Sequence, residues 1–359
     1  MGVQIEQKPA FVEIMKRKFA PSAQLIRVRQ LSGEELAAIP VEELTDVESL
    51  KQHLQQTFGL PPRFRQKLLH DGVALEDGMV LDSPKDVTLV VLPVLRPTAE
   101  EADELVEAVR LGEEVGVEEI LNRAQDPDAA GTQDKTPLFE AAKLGHADIA
   151  ELLLEAGADK DKPSVELHRF SRRTVTPLGV ACQNGHEEIV RLMLEFSASV
   201  QQEGDGVPPL TWASAKGKPE IVRLLLDARA DAGKTSAGSM PPVHVAAGLG
   251  DVETTRLLLE SRADAEERNE SRRGLTPLDL AAWANCKDVM RLLLERRADA
   301  EKRCRGFPVI DLAPWAWCML SPAGPPPRKT SNCNALQRCK EMLLESMDYA
   351  QRLQQSYHI

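Results

Sequence analysis

Aromatic residues are scarce in this chain, at 4% of 359 residues, although the hydrophobic share is an ordinary 42%. Any core must therefore be filled by Leu, Ala and Val, the habit of packed helices. Cysteine pairing is also lacking: Cys182, Cys286, Cys304, Cys318, Cys333 and Cys339 form no Cys-x-x-Cys pair, and no signal peptide precedes them. That predicts reduced intracellular thiols, and spacings of 14, 15 and 6 among the last four fit no zinc ligand set. No apolar run reaches the roughly 20 residues a membrane helix needs. Excess positive charge is missing as well. A net charge of -12 excludes a general nucleic-acid or membrane-surface binder, which needs clustered Lys and Arg. No Gly-rich phosphate loop with its Lys, His-Glu-x-x-His helix or Gly-x-Ser-x-Gly elbow is found, so the expectation is no enzyme, no cofactor and no metal. After Met1-Gly2 the sixth residue is Glu6, not the Ser or Thr of a myristoylation start.

What the chain does have is unevenly spread. Its length exceeds what one core usually fills, so two or more domains are expected. Between Thr98 and Lys162 lie 18 acidic and 6 basic residues, a net of -12, so the remainder sums to about zero. The segment also opens a repeat. Thr136-Pro137-Leu138 returns as Thr176-Pro177-Leu178, Pro208-Pro209-Leu210, Pro241-Pro242-Val243, Thr276-Pro277-Leu278 and Phe307-Pro308-Val309, with prolines 40, 32, 33, 35 and 31 residues apart. A leucine ladder keeps the same register, from Leu152-Leu153-Leu154 through Leu192-Met193-Leu194, Leu224-Leu225-Leu226 and Leu257-Leu258-Leu259 to Leu292-Leu293-Leu294.

Each unit reads as helix, turn, helix, loop. Pro opens the first helix because its fixed φ suits that position and its missing donor would go unpaired there. Small pairs follow, Ala141-Ala142, Ala181-Cys182, Ala213-Ser214, Ala246-Ala247 and Ala281-Ala282, and Gly145, Gly185, Gly217 and Gly250 end the helix, with Asn285 in the fifth. This pattern resembles the ankyrin repeat, whose Gly-Ala-Asp ending stands complete at Gly157-Ala158-Asp159 and whose histidine survives at His244. The resemblance implies an all-α ankyrin-repeat solenoid over residues 98–359, with about six to seven repeats. The first, around Ala108 to Gly112, is divergent and presents acidic residues as a solvated cap. The last is interrupted by a Pro-rich loop at 314–334.

Ahead of the repeats, Ile26 and Val28 alternate with Arg27 and Arg29 as in a strand, and a second strand is expected from Leu36 to Val41. Leu50, Leu54 and Phe58 mark a helix that Gly59 and Pro61-Pro62 stop. Lys67 to His70 reads as a third strand, Asp71-Gly72 as a turn, and Val87 to Leu92 as a closing strand. This order, with Gly59-Leu60-Pro61-Pro62 and Leu68-Leu69-His70-Asp71-Gly72, resembles the ubiquitin-like β-grasp, an α+β fold, over 23–94. The chain runs on past Leu92 without a diglycine, so conjugation like that of ubiquitin is not expected. The resemblance places an apolar recognition patch near Leu31, Leu69 and Val90; the other reading is a capping module. Residues 1–22, with Phe11, Ile14, Met15 and Phe19 beside Lys16, Arg17 and Lys18, read as a short helix or as disorder.

Stacked repeats bind along a concave face built by loop tips and first helices. That places Arg172, Arg173, Arg272 and Arg273 at basic tips and Lys143, Gln183, Asn184, Lys216 and Trp283 on helix faces, with Trp and Arg the residue types that most often dominate interfaces. Trp212 falls further inward. The function implied is a non-enzymatic adaptor or scaffold for a protein client, with ubiquitin-pathway proteins as further partners. The alternative is a regulatory subunit that controls a catalytic partner. The expected state is an intracellular monomer, cytoplasmic or nuclear, without nucleic-acid or membrane partners.

Overall fold

The computed structural model describes residues 24–132, 134–168, 171–201, 207–234, 240–269, 275–284, 286–296 and 298, with the backbone alone at 166–168, 171–173 and 283. The expected leader, Asn285, the repeat at Pro308 and its Pro-rich interruption lie outside these residues. Two compact units result. The first holds the chain through Thr132 together with 136–138 and 148–159, and the second holds 133–135, 139–147 and the chain from Lys160 onward.

In the first unit, β1 (Leu25–Gln30) and β2 (Glu35–Pro40) form a hairpin, α1 (Val47–Phe58) follows, and β3 (Gln66–His70), β4 (Val73–Ala74) and β5 (Asp86–Val91) complete a sheet of order β2-β1-β5-β3-β4. β1 and β5 are parallel, and the other neighbours are antiparallel. Alternation along the strands turns Ile26, Val28, Leu68, Val87 and Leu89 inward onto Val47, Leu50 and Leu54 of α1. Each such side chain contributes about 2 kcal/mol when fully buried. Asp46 and Ser49 form a reciprocal cap at the start of α1, and the backbone N–H of Ser49 holds the Asp46 carboxyl below its usual range. Gly59, at φ 63°, ends the helix. One strand differs from expectation: β4 has two residues, both exposed, too few to show an alternating pattern.

Beyond this sheet, α2 (Ala99–Leu111) and α3 (Glu114–Leu121) pack on each other, α2 being capped by Thr98 and Glu101. α4 (Pro137–Leu144) and α5 (Ala147–Glu155) come next. The longest repeat interval, 40 residues, contains a hairpin of β6 (Ser164–His168) and β7 (Ser171–Val175) that the sequence did not suggest. Then come α6 (Pro177–Asn184), α7 (Glu187–Glu195), α8 (Pro209–Lys216), α9 (Pro219–Asp227), α10 (Pro242–Leu249), α11 (Val252–Glu260), α12 (Pro277–Trp283) and α13 (Lys287–Glu295). The first helices stack in the order α6, α8, α10, α12 and the second in the order α7, α9, α11, α13, with each pair also in mutual contact. The small pairs Ala181-Cys182, Ala213-Ser214, Ala246-Ala247 and Ala281-Ala282 are all buried.

The glycines after the first helices serve geometry and space together. Gly185 has φ 81°, and a Cβ there would lie 2.8 Å from Cε of Lys218; at Gly250, φ 77°, it would lie 2.6 Å from Sγ of Cys286. The residue opening each second helix thus covers the glycine of the preceding unit. After the second helices the left-handed position persists without glycine, at Ser197, Arg229 and Arg262 with φ of 60°, 65° and 70°. The amides of Ala198, Ala230 and Ala263 each reach back to a carbonyl of the helix just ended. A non-glycine residue is strained there by about 1–2 kcal/mol, partly offset by the extra chain entropy glycine brings. Arg229→Gly and Arg262→Gly should each stabilise the protein by about 0.5–1 kcal/mol in urea unfolding.

His244 in α10 is fully buried, and its Nε2–H donates to the Leu275 carbonyl at 3.0 Å. Burial drives its pKa down to about 4, against the opposing pull of its backbone partners Leu275 and Glu267 and the charge of Asp264. Unfolded, the ring binds a proton near pH 6.5, so between 6.5 and 4 the unfolded chain holds more protons and stability falls as pH falls. Urea titrations across this window should show His244→Gln losing less stability than the native chain, by up to about 3 kcal/mol.

Candidate protein-interaction surfaces

The outer face of the five-stranded sheet carries Lys67 and Leu69 of β3 opposite Val90 and Thr88 of β5. Leu69 and Val90 are half-buried, and Lys67 and Arg27 are exposed around them. Leu31, at the turn that ends β1, is 73% exposed, unusual for a large apolar side chain at a tight turn. The fold thus puts all three residues of the expected patch at the surface. Arg29 pairs with Asp86 at 3.2 Å on the same sheet.

The repeat positions divide. Lys216 ends α8 exposed, and Gln183 is half-buried in the last turn of α6. The Gln183 Oε1 is buried and meets no donor among the described residues. Asn184, expected to face a partner, is exposed and also bonded to the neighbouring repeat. Its Nδ2 donates to the Lys143 carbonyl at 2.9 Å, and His186 donates from Nε2 to the same oxygen at 3.2 Å. Lys143 is half-buried in α4. Arg172 and Arg173 lie within strand β7, opposite Leu167 and Glu166, and not in an irregular loop tip. Arg272 and Arg273 fall outside the described residues, and Trp283 is described only as the last residue of α12. Trp212 is half-buried, wetter than the inward placement expected.

A residue that sequence reasoning passed over gathers more charge than any of these. Arg63 is 3% exposed. Its Nη1 lies 3.1 Å from Glu48, 3.3 Å from Asp77 and 3.7 Å from Glu118, its Nε 2.8 Å from Glu155, and its guanidinium sits over the Phe64 ring. Lys51 also pairs with Asp77. Burial pushes the Glu155 carboxyl up, against the downward pull of Arg63.

Among the described residues no group of His, Cys, Asp and Glu could hold a metal, and no helix is long and apolar enough to cross a membrane. Cys182 and Cys286 are free thiols whose pKa values burial raises, which works against nucleophilic use.

Stacked helix pairs, preceded in the chain by a β-grasp sheet, define a protein of the repeat-built class. The chain is an ankyrin-repeat protein with a ubiquitin-family domain ahead of its repeats. The family model for ankyrin repeats in three copies matches residues 165–236 and 228–304, the single ankyrin-repeat model matches 133–164, and the ubiquitin family model matches 26–92. Among solved structures, the human ASB11 ankyrin repeat domain is 26% identical at a TM-score of 0.51, covering 66% of this chain and 96% of that domain. The ankyrin repeat domain of Bcl-3, described as a unique member of the IkappaB protein family, gives a TM-score of 0.50 at 22% identity, over 58% of this chain and 92% of that one. A search of curated proteins finds no match. Domains of these two kinds point to protein–protein interaction in general, and ankyrin repeats are typically non-catalytic.

Because the Asn184 Nδ2 bridges to the preceding repeat, Asn184→Ala should lower stability by about 0.5–1 kcal/mol, whereas Lys216→Glu should stay within about 0.5 kcal/mol of native. Urea midpoints of the whole chain distinguish the two.

Proposed function

We propose that the chain is a non-enzymatic adaptor, an intracellular monomer of the cytoplasm or nucleus, that joins a repeat-bound client to ubiquitin-recognising proteins. The observation that carries this reading is the apolar set of exposed Leu31 and half-buried Leu69 and Val90 on a ubiquitin-like sheet, with exposed Lys67 beside Val90 and Arg27 on the neighbouring strand. Apolar side chains bordered by cations suit a partner that offers an apolar contact within an acidic rim. The client side rests on Lys143, Gln183 and Lys216, with Arg172, Arg173, Arg272, Arg273 and Trp283. The surplus of basic groups among these positions favours an acidic or mixed segment of the client.

Calorimetric titration of the whole chain with an isolated ubiquitin-recognising domain tests the docking half. Leu31→Glu combined with Leu69→Ser should weaken binding about tenfold or more. Equal affinity of variant and native chain, or no binding by either, would remove it. Charge reversal at Arg172, Arg173, Arg272 and Arg273 tests the other half: client recovered from lysate should fall about tenfold, and undiminished recovery counts against the basic grip.

A further inference from the structure

Within the first unit, three separate contacts tie the ubiquitin-like domain to the helices that follow it. The connecting segment is paired: the Leu95 amide donates to the Ala124 carbonyl at 3.0 Å, and the Asp126 amide donates to that of Leu95 at 3.1 Å. Pro62 lies on Gly157, whose φ is 88° and where a Cβ would come within 2.9 Å of the Pro62 Cγ. The third contact is the Arg63 cluster. Arg63 belongs to the turn before β3, yet two of its four carboxylates, Glu118 of α3 and Glu155 of α5, come from the helices, and Gln52 of α1 adds a bond to Glu155 at 3.1 Å.

We infer that the ubiquitin-like domain is latched by Arg63 onto the first helices of the repeat stack, as their fixed cap, so that the side built by α1 and residues 62–65 is consumed internally. Partners then have the sheet face and not the helix side. The chemistry favours a hub over a chance surface pair. A guanidinium offers several donors in a rigid plane, so one side chain engages both domains at once, and Lys, a single point donor, could not do so as well. Among the described residues, the four carboxylates Glu48, Asp77, Glu118 and Glu155 pair with Arg63, and Lys51 adds a second cation at Asp77. Loss of Arg63 therefore leaves a net repulsion across the contact and not merely a missing bond. Nothing in this inference depends on whether the sheet face binds a partner, and its test involves no partner.

The test is amide hydrogen exchange on the whole chain. Glu155→Gln removes the charge on the repeat side without touching the ubiquitin-like core, and it should speed exchange of the Val47–Phe58 helix severalfold. Arg63→Met should speed both Val47–Phe58 and Ala147–Glu155 by about tenfold or more, because the two sides open together. Unchanged protection of Val47–Phe58 in Glu155→Gln would overturn the latch, as would an Arg63→Met effect confined to the ubiquitin-like domain. Should Arg63→Met not fold, the Glu155→Gln result decides alone.

Discussion

An ankyrin helix pair cannot bury its own faces, and every other feature of this chain answers to that constraint. The pairs α6–α7 to α12–α13 bury their small and aliphatic residues only because each lies against a neighbour. Ala181, Ala213, Ala246 and Ala281 are small because a larger side chain would hold the first helices apart, and all are fully buried. The same need for close approach puts Lys218 over Gly185 and Cys286 over Gly250. Polar contacts then fix register where apolar ones cannot. His186 and Asn184 converge on one carbonyl, and His244 reaches into the next unit for Leu275.

The start of the stack meets the constraint with charge. Acidic residues of the first repeat were expected to form a solvated cap; Glu118 among them lies 3.7 Å from Arg63, and Glu155 is buried enough for its carboxyl to be pushed up. A buried ion cluster is a poor source of net stability, since desolvating each partner costs about as much as the attraction returns. What it does supply is selectivity. An apolar contact tolerates sliding, whereas a planar guanidinium satisfied by Glu48, Asp77, Glu118 and Glu155 tolerates few arrangements.

Legibility in the sequence followed the range of the interaction. Helix entrances were readable because Thr-Pro chemistry is local: Thr176 accepts from the Gly179 amide, and Thr276 with Asp279 makes a reciprocal cap. The sheet was readable because Ile26, Val28 and Val87 alternate and Gly59 punctuates. The β6–β7 hairpin was not, since Arg172 and Arg173 within β7 carry no apolar alternation and resemble a basic loop. Asn184 looked free because its acceptor is a carbonyl 41 residues earlier, which no side-chain pattern reveals. Arg63 was passed over for the same reason, its partner Glu155 lying 92 residues away. Side-chain type marks burial well for leucine and badly for arginine, whose placement depends on partners that only the fold assembles.

That division bears on where recognition can occur. A polar group already bonded inside the stack adds little to a partner, because binding would exchange one hydrogen bond for another. The Nδ2 of Asn184 and the Nε2 of His186 are committed in this way, and Arg63 is held more strongly by its four carboxylates. Lys216, exposed at the end of α8, carries no such commitment among the described residues. In the ubiquitin-like domain the same reasoning leaves the sheet side, where Leu31 is held open to solvent by a tight turn while Leu69 and Val90 stay rigid in paired strands. Pre-ordered apolar groups lose little entropy on contact, so a small patch on a stiff sheet can matter more than a larger mobile one.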